Sequence, residues 1–302
     1  MPLAHQAIFE MTFETTKDVY DWYERQRPVF TKEGIAAIPW EDVRKYPLDK
    51  RFIPVLLYMR DVETLTDMYH RELQRTPTGK DKYIARFMER WGVEEVIHGE
   101  VLNRFLNEAG VETDDKWQRQ VHANVSHLYN VNTYLLTSLT NLLGRKFTAT
   151  HMSFGAIHEM STAQAYRRMD QLAGHPVLSQ ILNGIVREES FHTHFYWSVA
   201  KLELRNSDLA QRIARFVIKT FYRPVGQGSL HKSRTEYAIR TLFGDDDGLE
   251  HLHKTVTQRA QTLPGLEALN KVTEKLGRIT RQGVPETILG LLAFGLPCLQ
   301  FF

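Results

Sequence analysis

The sequence predicts an all-α protein built on a four-helix bundle, and three observations carry that prediction. First, long stretches contain neither Gly nor Pro: Val55 to Thr76, Lys80 to Trp91 and Val111 to Leu143. Such lengths suit helices and exceed the roughly 5–6 residues of a typical strand. Second, short Val/Ile/Thr alternations bounded by turns are absent. Third, the turn signals are sparse and divide the middle of the chain into four long segments, at about 52–75, 80–109, 147–173 and 177–205.

The elements follow in order. Thr76-Pro77-Thr78-Gly79 separates the first segment from the second. A further apolar-rich helix is expected over about 115–143, closed by Gly144. Gly174-His175-Pro176 separates the third long segment from the fourth. Each of these turns is very short, so the helices it joins must be antiparallel neighbours. Two helix hairpins make a four-helix bundle. Pro224 to Gly228, Gly244 to Gly248 and Pro264-Gly265 divide the last third into shorter helices. No long linker and no solenoid repeat interrupts the chain. One domain over 1–302 is therefore expected, with the bundle at about 50–205 and helices from about 206–302 packed on it.

Composition excludes several classes. Hydrophobic residues make up 42% and charged residues 25% of 302 residues, which is ordinary globular usage. The net charge of +2 gives no field that argues for nucleic acid. Cys298 is the single cysteine, so an internal disulfide framework and a thiolate metal cluster are both excluded. Met1 to Phe13 lacks a basic start followed by an apolar run, and a reducing cytoplasm is the expected location. Ile288 to Phe302 is the most apolar stretch, but it is interrupted by Pro297 and is shorter than the ~20 residues of a spanning helix.

Chemistry enters with Glu95-Val96-Ile97-His98 and Glu189-Ser190-Phe191-His192. Residues three apart on a helix share a face, so each Glu-x-x-His pair can hold one metal ion. Two such pairs plus one Glu from each of the other two helices form the ligand set of a two-metal bundle core. A single pair means little, because chance placement of the Glu and His residues gives about one. A third pair, Glu250 and His253, follows the acidic turn Asp245-Asp246-Asp247-Gly248 and reads as an exposed helix start. What separates the first two is register. In an antiparallel hairpin, residues equidistant from the turn lie at equal depth. Glu63 stands as far before Gly79 as Glu95 stands after it, and Glu159 and Glu189 are equidistant from Gly174. The predicted ligands are Glu63, Glu95, His98, Glu159, Glu189 and His192, with Asp61 or Asp67 as substitutes for Glu63 in a shifted register. Glu95 with Glu189 or Glu159 is expected to bridge the metals, with Glu189 favoured because the Glu-x-x-His glutamates lie nearest the shared axis, and Glu63 is expected to be terminal. Buried charges need partners or a metal, and four carboxylates with two imidazoles suit iron, with manganese possible, better than zinc or copper.

Other residues receive plainer readings. Glu94 and Glu188 are expected to orient histidines. His194 is expected to face away, at the surface. His122, His127, His151 and His158 read as polar or capping residues. Arg71 to Arg90 and Lys201 to Arg223 read as solvated faces or as a docking surface for an acidic partner.

The order Glu…Glu-Glu-x-x-His…Glu…Glu-x-x-His resembles that of the ferritin-like carboxylate-bridged di-iron proteins. Val93-Glu94-Glu95-Val96-Ile97-His98-Gly99-Glu100-Val101-Leu102-Asn103 is similar to the EExRHGDLLN segment of the soluble acyl-carrier-protein desaturases, with Leu106-Asn107-Glu108-Ala109-Gly110 continuing it. Thr162, three residues after Glu159, resembles that family's threonine near the oxygen site and is the catalytic candidate. Ile97 replaces the usual arginine, and Glu188 stands where Asp is usual. The resemblance covers about 50–205. It implies a ferritin-like fold, two iron ions, O2 as co-substrate, a ferredoxin-like electron donor, and an acyl chain delivered on acyl carrier protein. A homodimer is expected. Trp91, Phe105, Met152, Ile185 and Tyr196 are candidates to shelter that chain. The alternatives are a di-iron hydroxylase or N-oxygenase of a small metabolite, an iron-storage protein, and a helical interaction protein. Cavity shape, assembly size and metal content separate them.

Overall fold

The computed structural model describes residues 11–126, 129, 134, 137, 138 and 140–281. The expected apolar segment 288–302, Cys298 and His127 lie outside the described residues. Among the described residues the regular structure is helical throughout, without strands. The principal helices are α1 (Thr16–Glu24), α2 (Ile53–Thr64), α3 (Thr66–Gln74), α4 (Lys82–Glu108), α5 (Trp117–Ala123), α6 (Lys146–Ala173), α7 (Pro176–Arg205), α8 (Asp208–Phe221), α9 (Lys232–Phe243), α10 (Asp246–Leu252) and α11 (Lys271–Arg281).

Local chemistry sets the long helices. Asp81 caps α4, its carboxylate accepting from the Tyr83 and Ile84 amides. Gly174 ends α6 in the left-handed region at φ 58°, which costs glycine little. His175 then caps α7 by accepting from the Leu178 amide, and Pro176 occupies the first helical position, where no amide is needed. The two hairpins follow. α2 and α3 pack on α4, α6 packs on α7, and α4 meets α7. α1 lies against α4 and α7, α8 covers α6, and α9 packs on α2 and α11.

Two predicted helices differ from expectation. The 52–75 segment is split at Leu65, where ψ opens to −3°. Leu65 turns its buried side chain into a small cluster with Val62, Met68, Trp117 and Leu230, and helix resumes as α3. The 115–143 segment is not one helix. α5 stops at Asn124, and a 3-10 turn at Thr140–Leu143 precedes α6.

Trp91, Phe105, Met152, Ile185 and Tyr196 are buried in the main core. The bundle is drawn tight where glycine removes a side chain. A Cβ on Gly99 would sit 3.1 Å from Thr64 Oγ1 and 3.2 Å from the Arg60 carbonyl oxygen, so α4 approaches α2 closely. A Cβ on Gly155 would lie 2.3 Å from the Tyr196 ring. Gly155→Ala gains helix propensity of about 1 kcal/mol but must displace a fully packed ring. The expected net result is a loss of about 2 kcal/mol in chemical denaturation.

Candidate metal centre

The six predicted ligands converge in the bundle interior. Glu63 comes from α2, Glu95 and His98 from α4, Glu159 from α6, and Glu189 and His192 from α7. All six are buried, the two histidines and Glu189 completely. They form two groups, each with its ligand atoms within 4.8 Å of one another: Glu63, Glu95, His98 and Glu189, and Glu95, Glu159, Glu189 and His192. Glu95 and Glu189 belong to both groups. Glu63 and His98 belong to the first group alone, and Glu159 and His192 to the second alone.

The histidines are oriented by crossed partners. His98 on α4 donates from Nε2 to Glu188 of α7 at 2.6 Å. His192 on α7 donates from Nε2 to Glu94 of α4 at 2.8 Å. Each imidazole is thereby fixed with Nδ1 turned toward the carboxylates, the tautomer that offers a lone pair to a cation. His192 Nδ1 lies 3.0 Å from Glu95 Oε1, and His98 Nδ1 lies 3.5 Å from Glu189 Oε1. The orienting carboxylates are themselves held. Glu188 accepts from the Val29 and Phe30 amides. Glu94 accepts from Tyr23 at 2.5 Å and from Arg90 Nε at 2.8 Å. Burial opposes ionisation of Glu94, but His192, Tyr23 and Arg90 bring its carboxyl down to about 2. Glu188→Ala should therefore weaken divalent metal affinity roughly 10–100-fold with little loss of helix content, as read by metal titration and circular dichroism.

Electrostatics at the centre favours a cation. Burial, and then the charge of a neighbouring carboxylate, holds Glu63 and Glu159 well above the usual carboxyl range. Burial opposes ionisation of Glu95 and Glu189, but Glu95 is held below that range by the Glu63 carboxyl and both imidazoles beside it, and Glu189 by both imidazoles and the Glu159 carboxyl. Both imidazoles are raised well above their usual value: burial opposes this, but Glu188, Glu189 and Glu95 outweigh it at His98, and Tyr23 with Glu189, Glu94 and Glu95 outweighs it at His192. A field that binds protons so strongly also binds a divalent ion, which releases those protons on entering. The hydrogen-bond pattern agrees. Glu95 Oε1, both Glu189 oxygens and Nδ1 of both histidines are buried without a well-formed hydrogen bond. Inward-facing donor atoms of this kind fit a bound metal.

The register alternatives are resolved. Asp61 pairs with Arg60 and Arg234, at 2.6 Å each, and Asp67 lies 3.3 Å from His122. Neither belongs to the cluster. The Glu250/His253 pair stays apart as expected: Glu250 pairs with Lys254, and His253 Nδ1 meets Thr273 at 3.0 Å.

Three expectations are corrected. His194 is fully buried rather than at the surface, with its ring 4.3 Å from that of Trp22 and 5.6 Å from that of Phe13. α7 is covered by α1 on the side opposite the bundle axis, so facing away from the ligands does not mean facing water. Arg90 is not part of a solvated face, since it also reaches the Tyr23 and Gln26 carbonyls. The five aromatic and aliphatic residues expected to shelter a chain do not line the cavity beside the cluster. That cavity is walled by Glu63, Thr162 and Tyr166 on the cluster side, and by Met59, Val62 and Ala165 along α2 and α6. Tyr222, Val225, Ile239, Leu242, Leu252 and Leu276 complete it. Its lining is almost entirely apolar.

Two tyrosines escaped the sequence reading as site residues. Tyr166 donates its hydroxyl to Glu63 Oε1, and Tyr23 donates to Glu94. The position of Tyr166, seven residues after Glu159 on the same helix face, was the available signal for the first. Tyr23 had none, because its contact to Glu94 spans distant parts of the chain.

A search of curated proteins and one of solved structures returned no match. A protein-family model described as fatty acid desaturase matches residues 61–220. The match spans more than half of the chain and includes both Glu-x-x-His helices together with Glu63, Glu159 and Thr162. This chain therefore belongs to the fatty acid desaturase family.

Proposed function

We propose that this protein is an O2-dependent di-iron desaturase that acts on an acyl chain carried by acyl carrier protein. The observation that carries the proposal is the pair of overlapping ligand groups sharing Glu95 and Glu189, placed against an apolar cavity. Glu63 and His98 would hold one iron, Glu159 and His192 the other, and Glu95 and Glu189 would bridge them. Two irons supply the redox chemistry that couples O2 to cleavage of unactivated C–H bonds. In the net reaction one CH2–CH2 unit, O2, two electrons and two protons yield one cis or trans CH=CH unit and two waters. The electrons come from a ferredoxin-like donor.

The chain's own residues do the rest. Met59, Val62 and Ala165 exclude water and grip methylenes by shape, since a saturated chain offers nothing to hydrogen-bond. Thr162 lines the same cavity one turn beyond Glu159, and its hydroxyl would pass a proton to reduced oxygen. Tyr166 keeps Glu63 at its terminal position through the hydroxyl-to-carboxylate hydrogen bond. The crossed Glu94 and Glu188 pairs fix both imidazoles, so neither ligand must reorganise during turnover.

The test is incubation of the iron-loaded protein with acyl carrier protein thioesters of several lengths, reduced ferredoxin and O2, followed by analysis of the released fatty acids. A new double bond is expected. O2 consumption with a small amine or aromatic compound, and no unsaturated thioester, would transfer the assignment to a small-metabolite oxygenase. Ala165→Phe gives a finer check by adding a ring to the cavity wall. The expected outcome is a fall of about tenfold or more in kcat/KM for long chains, with shorter chains less affected.

A further inference from the structure

We infer that the connection from Arg223 to Ser229, between α8 and α9, is a strap that lifts to admit the substrate chain to the cavity, with Tyr58 and Tyr69 as its latches; this rests on the proposed reading that the cavity takes an acyl chain. The cavity encloses about 70 Å³. Pockets that bury a small organic ligand enclose roughly 300 Å³ or more. A wall must therefore move before a long chain can enter.

The walls differ in what holds them. α2 and α6 carry Glu63 and Glu159, so displacing either helix would pull the ligand cluster apart. α9 packs on both α2 and α11. Pro224 and Val225 instead belong to an irregular connection, anchored at its ends by buried Tyr222 and Leu230. Two of its backbone hydrogen bonds close the turn on itself: the Gln227 amide donates to the Pro224 carbonyl and the Leu230 amide to the Gly226 carbonyl, at 3.0 Å each. Gly226 and Gly228 take left-handed φ values of 76° and 117°, which glycine adopts without strain and which give the turn its shape. The strap is thus a small unit, fastened to the bundle by a side chain from each of three helices. Tyr58 of α2 donates its hydroxyl to the Val225 carbonyl. Tyr69 of α3 meets Ser229 Oγ at 2.7 Å, and Ser229 donates onward to the Gly226 carbonyl at 3.2 Å. His158 of α6 donates from Nε2 to the Arg223 carbonyl at 3.1 Å. Such bonds exchange with bonds to water at small net cost, so the strap can open locally while the helices stay packed.

The experiment is stopped-flow binding of parinaric acid, a slender fluorescent fatty acid, to the full-length, iron-loaded protein. A Cβ on Gly226 would lie 2.9 Å from Val62 Cγ2, so a cysteine pair at these two positions can tie the strap to α2. Val62→Cys/Gly226→Cys is made together with Cys298→Ser, so that a single disulfide forms. Oxidation is expected to slow association about tenfold or more, and reduction of the same protein to restore it. Tyr58→Phe/Tyr69→Phe keeps both rings and removes both latches. It should speed association about threefold or more and speed hydrogen exchange of residues 225–230, with iron content unchanged. The inference is overturned if the oxidised and reduced forms bind equally fast, if the phenylalanine variant exchanges faster yet binds no faster, or if the unaltered protein does not bind parinaric acid. The phenylalanine variant decides by itself where the cysteine pair does not fold or oxidise. Binding is read without turnover. A chain that enters past the strap but is never desaturated ends the proposed reaction and leaves the strap standing. Desaturation at an equal rate with the strap tied down ends the strap and leaves the reaction standing.

Discussion

Glu189→Ala should yield a folded chain whose iron content falls from two toward zero and whose desaturation falls to background. Glu95→Ala should do the same. Both residues belong to both ligand groups, so either change removes a donor from each metal position at once. His98→Ala touches one group, and its iron content should fall toward one. The contrast between shared and unshared ligands is the informative measurement, made by metal analysis after reconstitution and by circular dichroism. Equal losses from Glu189→Ala and His98→Ala would show that the metals do not bind as a bridged pair. Loss of iron without loss of helix is expected because α7 keeps its apolar contacts: Ile181, Ile185, Phe195 and Tyr196 remain buried around the altered position.

The second large effect concerns stability. Folding brings Glu63, Glu95, Glu159 and Glu189 together out of water, at a cost that a bound cation offsets. Ferrous or manganous ion at about 1,000 times its dissociation constant contributes about 4 kcal/mol per site. Two sites in a chain of this size should raise the unfolding midpoint by roughly 12 °C over the chelator-treated protein. Glu63→Leu/Glu159→Leu should reverse the pattern. Both carboxyls are held well above their usual range, mainly by burial, which marks them as unfavourable when ionised. In chelator the double variant should be more stable than the unaltered chain by about 1–4 kcal/mol. With metal it should be the less stable of the two. Thermal scans of both proteins under both conditions test this crossing, and parallel responses to metal would refute a shared centre.

The sequence by itself determined the helical class, the two hairpins and the six carboxylate and imidazole positions that converge in the bundle interior. The reason is that these depend on short-range regularities: 3.6-residue periodicity, Gly and Pro at turns, and equal depth about a turn. Glu63 paired with Glu95, and Glu159 with Glu189, because each hairpin is long and its turn is short. The Glu250/His253 pair could be set aside on the same ground. Tertiary structure alone decided what lies behind each helix. His194 was expected at the surface because it faces away from His192, yet α1 covers that side of α7 and buries it. Tyr23 reaches Glu94, and Arg90 is drawn inward, because the same α1 region closes over α4. Leu65 breaks the first long segment to join a cluster supplied by α5 and Leu230, which no local pattern shows. The cavity wall was the least legible feature. It is assembled from α2, α6, α9, the segment after α8 and the C-terminal helices, elements far apart in sequence. Periodicity tells which face of a helix is apolar. Whether that face meets another helix, an empty channel or solvent is settled only when distant segments pack.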